Sequence, residues 1–234
     1  MRKIIGSTVL ALLLAGVGAH AGQPAGLGDN LRYLSLGDSF AAGKGAIPVT
    51  QGYAYLLYHE GTFASLTDTT FANAAVGGTT SSDVLAYQVP QVIRFKPHVV
   101  TIYAGLNDLQ KLFGGADPNT VLQQLGSNMT QIMCGIKATM QLQGIDPLVI
   151  VGNLPDMPWL SEARPEVRVV IMLANQIIAA AANGCGARVA DVFTAFEGRK
   201  ELFLQYRQGA DPNEPHPNNV GYRVMAKAFM DAAR

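Results

Sequence analysis

Short apolar runs alternate with segments of helical periodicity along this chain, and the alternation restricts the fold to few choices. Five runs have the length and composition of buried strands. They cover residues 33–36, 69–74, 98–103, 147–151 and 188–192. Strands that alternate with helices form a parallel sheet covered on both faces. We therefore predict an α/β protein with a three-layer α/β/α sandwich.

The helical segments have recognisable starts and stops. The longest begins at Asp117-Pro118 and keeps apolar residues at helical spacing as far as Gly144. The other predicted helices cover residues 53–60, 81–90, 165–183 and 218–232. No repeat and no long linker interrupts the pattern. We expect a single domain over residues 22–234.

Residues 1–21 have the pattern of a signal peptide. A positive start at Arg2 and Lys3 is followed by the apolar segment 4–17 and by Ala19-His20-Ala21, a small-x-small cleavage signal. The apolar segment is too short for a comfortable membrane span. We predict a secreted or periplasmic protein with no membrane span.

Charge and cysteine content narrow the possible partners. The formal net charge is zero and 15% of the residues are charged, whereas nucleic-acid binding requires a basic face. We therefore expect no nucleic-acid partner. We also expect the protein to be a monomer. Because the predicted destination is oxidising, a disulfide between Cys134 and Cys185 is expected. Two separate buried thiols remain the alternative, since spacing in sequence cannot test geometry.

Polar loops follow the first three predicted strands. The first loop carries Gly37-Asp38-Ser39, the second covers residues 73–78, and the third covers residues 105–108. In a parallel sheet these loops lie at the same edge, where ligands bind. Asp38 and Asp108 are interpreted as residues that brace the loops. Taken alone, the Gly-Asp-Ser sequence is equally compatible with an ordinary turn.

Three groups in these loops can stabilise a developing negative charge. The backbone N–H of Ser39, the backbone N–H of Gly78 and the side-chain amide of Asn107 together supply three donors for an oxyanion hole. Glycine at position 78 allows a ligand to approach the backbone closely.

A nucleophilic serine needs a base, and histidine is the candidate. The chain has four histidines, one of them in the predicted signal peptide. His59 lies late in a helix, and His98 enters a strand at the edge opposite Ser39. His216 lies in a polar loop just before the last helix, so elimination points to His216.

These residues resemble the motifs of the SGNH (GDSL) hydrolase family. Four blocks occur in the family's order, namely Gly37-Asp38-Ser39, Asn73 to Gly78-x-Thr80, Gly105-x-Asn107-Asp108 and His216-Pro217. The resemblance implies a flavodoxin-like sandwich with a five-stranded parallel sheet. It also implies Ser39 as nucleophile, His216 as base, Ser39, Gly78 and Asn107 as oxyanion donors, and no metal or organic cofactor.

One block departs from the family pattern. The family places an aspartate three residues before the histidine, and this chain has Asn213 there. An acidic partner stabilises the imidazolium and fixes its tautomer. We predict Asp211 as that partner, because Pro215 limits how Glu214 can fold back. Glu214 remains an alternative, as does a serine–histidine dyad helped by Asn213 or by a backbone carbonyl.

The resemblance implies an ester hydrolase, an esterase or lipase that forms an acyl-enzyme on Ser39. The substrate is then a small-molecule or lipid ester. Apolar side chains in the loop 153–160 are candidates for an acyl pocket, although they can equally pack on their own domain. An acyltransferase or a deacetylating carbohydrate esterase has the same machinery. A non-catalytic extracellular binding module is expected to lack Ser39, Asn107 or His216, and none is missing.

Overall fold

A computed structural model describes residues 30–61, 63, 68–209, 211 and 213–234. The predicted signal peptide at residues 1–21 lies outside this part of the chain. Within it, five parallel strands form one sheet in the order β2-β1-β3-β4-β5. The strands are β1 (Arg32–Gly37), β2 (Thr70–Asn73), β3 (Val99–Tyr103), β4 (Leu148–Gly152) and β5 (Arg188–Ala190). This topology confirms the predicted flavodoxin-like α/β class.

Helices cover both faces of the sheet. The α-helices are α1 (Ser39–Ala42), α2 (Tyr53–His59), α3 (Ser81–Asp83), α4 (Val89–Phe95), α5 (Leu106–Gln110), α6 (Pro118–Gln141), α7 (Pro158–Ser161), α8 (Pro165–Gly184), α9 (Val192–Phe196) and α10 (Asn219–Ala233). A π-helical segment, Val84–Gln88, joins α3 to α4. Short 3₁₀ segments cover Val49–Gln51, Lys111–Gly114, Lys200–Leu202 and Leu204–Tyr206. Helices α2, α9 and α10 pack together in one layer, and α4, α6 and α8 form the other.

Local sequence signals explain where the elements begin and end. Asp117 caps α6, and its carboxylate accepts a hydrogen bond from the backbone N–H of Thr120 at 2.8 Å. The fifth strand is shorter than predicted. Its extension to position 192 was wrong, because Asp191 caps α9 by accepting a bond from the N–H of Thr194. Val192 is therefore the first helical residue.

Helices α6 and α8 are joined covalently. Cys134 in α6 forms a disulfide with Cys185, the residue after α8, which confirms the predicted bridge. Among the described residues, α8 is also the helix long and apolar enough to cross a membrane. One face of α8 is buried in this domain, at Ile171, Ala174, Ile178, Ala181 and Ala182.

The end of β1 crosses very close to β3, and this contact sets the position of the following loop. Gly37 has a φ of +138°, and a Cβ there would lie 2.0 Å from the carbonyl oxygen of Tyr103. Only glycine fits such an approach. Beyond it, the ring of Phe40 stacks on that of Tyr103 with centroids 5.1 Å apart. Helix α1 is thereby fixed over the carboxyl edge of the sheet.

Candidate active site

The turn after β1 places Ser39 at the first position of α1. Asp38 caps this helix, and its Oδ1 accepts a hydrogen bond from the N–H of Phe40 at 2.9 Å. Backbone N–H groups in a first helical turn have no acceptor within the helix. The N–H and the partly exposed side chain of Ser39 are therefore both presented at the edge of the sheet.

His216 approaches Ser39 from the far end of the chain. Its Nε2 lies 2.7 Å from the Oγ of Ser39. Backbone hydrogen bonds hold the loop, since the N–H of Leu204 donates to the carbonyl of His216 at 2.9 Å and the N–H of Asn218 donates to that of Leu202 at 2.8 Å. The structure thus brings the predicted nucleophile and base into direct contact.

Gly45 makes room for the histidine loop. Its φ is +92°, and a Cβ there would lie 2.9 Å from the carbonyl oxygen of Pro217 and 3.0 Å from the Cβ of His216. A larger residue would push His216 away from Ser39. Of the other histidines that the structure describes, His59 ends α2 and His98 lies at the opposite edge of the sheet, as predicted. The Nδ1 of His98 accepts a bond from the N–H of Arg32 at the opposite edge of the sheet.

Glu214, and not Asp211, contacts His216. The Oε1 of Glu214 is hydrogen-bonded to the Nδ1 of His216. Asp211 is exposed, and its Oδ1 accepts a bond from the N–H of Asn213 at 2.8 Å. The assignment of Asp211 as the orienting acid is therefore corrected to Glu214. Asp211 closes a local turn instead.

Pro215 explains the correction. A proline ring fixes its own φ near −65°, and the residue before it is confined to extended conformations. In extended backbone, side chains two positions apart project to the same side. The hydrogen bond between Glu214 and His216 shows that these two side chains project to the same side of the proline. From the sequence, Pro215 was expected to prevent Glu214 from reaching His216. In the structure the carboxylate of Glu214 lies beside the imidazole.

The contacts of His216 define its tautomer. A carboxylate only accepts, so Nδ1 carries the proton and donates to Glu214, which leaves Nε2 free to accept the hydroxyl proton of Ser39. Burial lowers the pKa of His216 below 6.5, while the adjacent Glu214 raises it and the charge of Lys44 lowers it. The pKa change is a net decrease, which favours the neutral imidazole that a base requires.

The candidate oxyanion donors are linked to one another and to the serine. A Cβ on Gly77 would lie 3.6 Å from the Cβ of Ser39, so the turn that contains Gly78 lies against the nucleophile. The Nδ2 of Asn107 donates to the carbonyl of Thr79 at 2.8 Å. An amide nitrogen has two hydrogens, and one of them remains for a ligand. These contacts bring the three predicted donor positions to one edge.

Asp108 joins the second loop to the third. Its Oδ2 accepts from the N–H of Ser81 at 2.8 Å and its Oδ1 accepts from the Ser81 hydroxyl at 2.6 Å. Asn128 on α6 donates to the same hydroxyl at 2.8 Å. Asp108 is 2% exposed. The carboxylate therefore braces the two loops, as predicted.

An apolar cavity of about 220 Å³ opens beside the third loop. Leu106, the neighbour of Asn107, forms part of its wall, and Ser39 and His216 do not line it. The other apolar side chains of the wall are Leu109, Leu112, Phe113, Ala116, Pro118, Met157, Leu160, Val167, Val170 and Ile171. The sequence pointed to Met157 and Leu160 in the loop 153–160, but gave no sign of the contribution of α8. In the same loop Trp159 packs on Phe203 instead.

Within the described residues, no group of three or more histidine, cysteine, aspartate or glutamate side chains is placed to hold a metal ion. A serine and a histidine in contact at this edge, together with a match to a family of ester-cleaving enzymes, identify a carboxylic ester hydrolase. The chain belongs to the GDSL-like lipase/acylhydrolase family, whose model matches residues 35–224.

Solved structures share this fold at low sequence identity. A lipase, Lip_vut3, from a goat rumen metagenome aligns with a TM-score of 0.67 and 22% identity, covering 86% of this chain and 97% of that one. TesA aligns with a TM-score of 0.61 and 21% identity, covering 87% and 98%. A catalytic mutant of Axe2, an acetylxylan esterase from Geobacillus stearothermophilus, aligns with a TM-score of 0.67 and 18% identity, covering 88% and 95%. No curated protein sequence matches the chain.

Proposed function

We propose that this ester hydrolase is an exported esterase or lipase that forms an acyl-enzyme on Ser39. The observation that carries the proposal is the hydrogen-bonded series from Ser39 through His216 to Glu214. A serine, a histidine base and a carboxylate in this order are the elements of nucleophilic acyl transfer.

The reaction follows from these contacts. His216 Nε2 takes the hydroxyl proton as Oγ of Ser39 attacks the ester carbonyl, and the carbonyl oxygen becomes an oxyanion. The N–H groups of Ser39, Gly78 and Asn107 stabilise that charge. The tetrahedral intermediate collapses as the ester C–O bond breaks and His216 returns its proton to the leaving oxygen, which gives the alcohol and the acyl-enzyme. A water molecule, deprotonated by the same histidine, then releases the acid and restores Ser39.

The apolar cavity supports a substrate with an alkyl acyl chain. Its wall includes Leu106, the sequence neighbour of the candidate oxyanion donor Asn107, and we expect an acyl chain to extend from the donors into it. An acetyl group makes little use of an apolar cavity, and this favours an esterase or lipase over a deacetylating carbohydrate esterase. Export rests on the pattern of residues 1–21 and is tested by sequencing the amino terminus of protein recovered outside the cytoplasm.

A series of p-nitrophenyl esters from acetate to palmitate tests the function. Wild type should hydrolyse them, with kcat/KM rising with pH through a pKa below 6.5, because burial lowers the pKa of His216. Ser39→Ala should be inactive, and a fluorophosphonate should label Ser39 alone. Undiminished hydrolysis by Ser39→Ala contradicts the mechanism, and absence of hydrolysis in wild type favours a binding module. Transfer of the acyl group to an added alcohol in preference to water indicates an acyltransferase.

Chain-length preference is tested on α8. Val170 lines the cavity, whereas its neighbour Val169 does not and is 57% exposed. Val170→Phe should lower kcat/KM for the octanoate roughly tenfold or more and leave the acetate nearly unchanged, since a methylene-sized misfit in an apolar pocket has effects of that order. Val169→Phe is the matched control and should change neither. Equal loss on both esters argues against the cavity as the acyl site.

A further inference from the structure

Gln88 pairs with the backbone directly before the serine turn. Its Oε1 accepts a hydrogen bond from the N–H of Gly37 at 2.7 Å, and its Nε2 donates to the carbonyl of Gly37 at 2.8 Å. The side chain is 2% exposed. Gly37 is the last residue of β1 and is followed by Asp38 and Ser39. The carboxamide therefore holds both polar backbone groups of the residue from which the turn starts.

The neighbouring strand does not reach this position. The register of β2 on β1 ends at the pair of Ser35 and Asn73, and the N–H of Ala74 then donates to the carbonyl of Ser35. Groups of alternate residues in a strand face the same neighbour, so the N–H of Gly37 faces the side that β2 has left. The segment after β2 still reaches the carbonyl of Gly37, because the N–H of Val76 donates to it at 3.1 Å. The N–H of Gly37 has its acceptor in the Oε1 of Gln88, which supplies the oxygen that the strand would otherwise provide.

A π-helical turn delivers the side chain. The N–H of Val89 donates to the carbonyl of Val84, five residues earlier, so the turn holds one residue more than an α-helical turn. Within this segment the buried residues are Val84 and Gln88. The extra residue directs Gln88 into the protein, and π-turns of this kind are frequent at functional sites.

The same contact extends to the second loop. The hydroxyl of Thr79 lies 3.0 Å from the carbonyl oxygen of Gly37 and 3.5 Å from the Nε2 of Gln88. The carbonyl of Thr79 in turn accepts the amide of Asn107. Gln88 therefore contacts backbone on the nucleophile side and a side chain on the oxyanion side. Among the described residues, no ionisable side chain hydrogen-bonds to Gln88.

We propose that Gln88 is a positioning residue that holds the backbone before Ser39 so that the hydroxyl meets His216 beside the oxyanion donors. The inference rests on the proposed function. Gln88 touches no reacting atom and acts through Gly37. Its removal leaves the buried N–H of Gly37 without its acceptor, while the carbonyl of Gly37 keeps the bonds from Val76 and Thr79. We expect the backbone before the serine turn to shift in response.

Two substitutions separate positioning from mere stability. Gln88→Leu removes both hydrogen bonds. It should lower kcat for p-nitrophenyl butyrate by about 10²-fold with little change in KM, because a displacement near 1 Å has an effect of that order. The rate is expressed per fluorophosphonate-reactive site, so that unfolded protein is not counted. Gln88→Glu keeps the pairing while its carboxyl is protonated, since the acid O–H donates to the carbonyl of Gly37. Once ionised, the carboxylate faces that oxygen without a proton.

The pH profile is therefore diagnostic. The ratio of kcat for Gln88→Glu to wild-type kcat should be near one at about pH 5 and should fall as pH rises through the pKa of the introduced carboxyl, which burial raises. Gln91 is exposed on α4, and its Nε2 donates to the carbonyl of Tyr87 in the preceding π-helical segment, not to Gly37. Gln91→Leu and Gln91→Glu are the matched controls and should behave as wild type.

A flat ratio across pH, or a kcat for Gln88→Leu within about twofold of wild type, overturns the inference. If Gln88→Leu does not fold, the profile of Gln88→Glu decides alone. These failures differ from a failure of the proposed function. That failure appears as equal hydrolysis by wild type and Ser39→Ala, and it overturns both proposals.

Discussion

Replacing Asp38 with asparagine should abolish a loss of stability that the wild-type protein undergoes between acidic and neutral pH. Asp38 is 1% exposed. Its Oδ1 caps α1, and its Oδ2 has no hydrogen-bond partner among the described residues. Burial raises the pKa of this carboxyl to about 7, and the nearby charge of Asp108 adds to the increase, while the backbone N–H of Phe40 opposes it.

The size of the effect follows from the two pKa values. An unfolded aspartate has a pKa near 3.9, and the folded value is about 7. The folded state therefore binds the proton more tightly, so the contribution is complete below pH 4 and is lost as pH rises through 7. A difference of about 3 pKa units at about 1.36 kcal/mol each amounts to about 4 kcal/mol. For a chain of this size that is roughly 8–16 °C in Tm.

Urea unfolding of wild type and Asp38→Asn from pH 4 to pH 8 measures this difference. The free energy of unfolding of wild type, minus that of the variant, should fall by about 4 kcal/mol over the range. Any constant effect of the amide cancels in this comparison. Tyr53, Tyr103 and Tyr222 interact with Asp38, and burial raises the pKa of each above 10. These side chains therefore stay neutral throughout the range.

Asp117→Asn is the matched control with the opposite sign. Asp117 also caps a helix, but it is exposed, and its hydrogen bonds to Thr120 lower its pKa. The stability it contributes is present above its unfolded pKa and is lost as pH falls. Wild type should therefore lose stability relative to Asp117→Asn toward acid pH. If the Asp38→Asn difference is flat with pH, or has the sign expected for Asp117, the buried carboxyl does not hold a proton at neutral pH and the reasoning is refuted.

Two further predictions concern the site and the bridge between helices. Glu214→Gln should lower kcat on the order of 10⁴-fold at pH 8, as loss of an orienting carboxylate does in other serine hydrolases. Asp211→Asn should have nearly the kcat of wild type. A large loss in Asp211→Asn with little loss in Glu214→Gln contradicts the assignment. Replacing both Cys134 and Cys185 with alanine should lower the free energy of unfolding by about 4 kcal/mol for a sequence separation of 51 residues. Urea unfolding measures this loss of stability. As a control, reductant should not change the stability of the double variant. Two titratable thiols in unreduced, denatured wild type would exclude the bridge.

The sheet and its polar edge could be predicted because their signals are local. A buried parallel strand is a continuous apolar run, as in β3, and parallel topology then brings the ends of β1, β2 and β3 together whatever their separation in sequence. The start of α6 was equally local, because Asp117 and the following proline cap a helix through neighbouring atoms. The buried run of β3 and the start of α6 were correctly assigned, whereas the end of β5 was placed two residues too late.

The parts that sequence reasoning missed depend on backbone geometry that no residue pattern announces. A π-turn at Val84–Gln88 keeps ordinary helical composition, so nothing marked Gln88 as inward-facing. Glu214 was considered as the partner of His216 but not chosen, because Pro215 was expected to keep the two side chains apart. In the structure the two side chains lie on the same side of the proline and are hydrogen-bonded.

The contact between Ser39 and His216 shows how the two kinds of information combine. The two residues are 177 positions apart, and elimination among histidines identified the pair without any measure of distance. The distance itself depends on the close approach of backbone at Gly45, where a Cβ would collide with the histidine loop. A glycine in a polar loop carries no sign of such a partner in sequence. The pairing of Ser39 with His216 was therefore predictable from residue types, whereas the geometry of the site depends on tertiary packing around glycine, proline and glutamine.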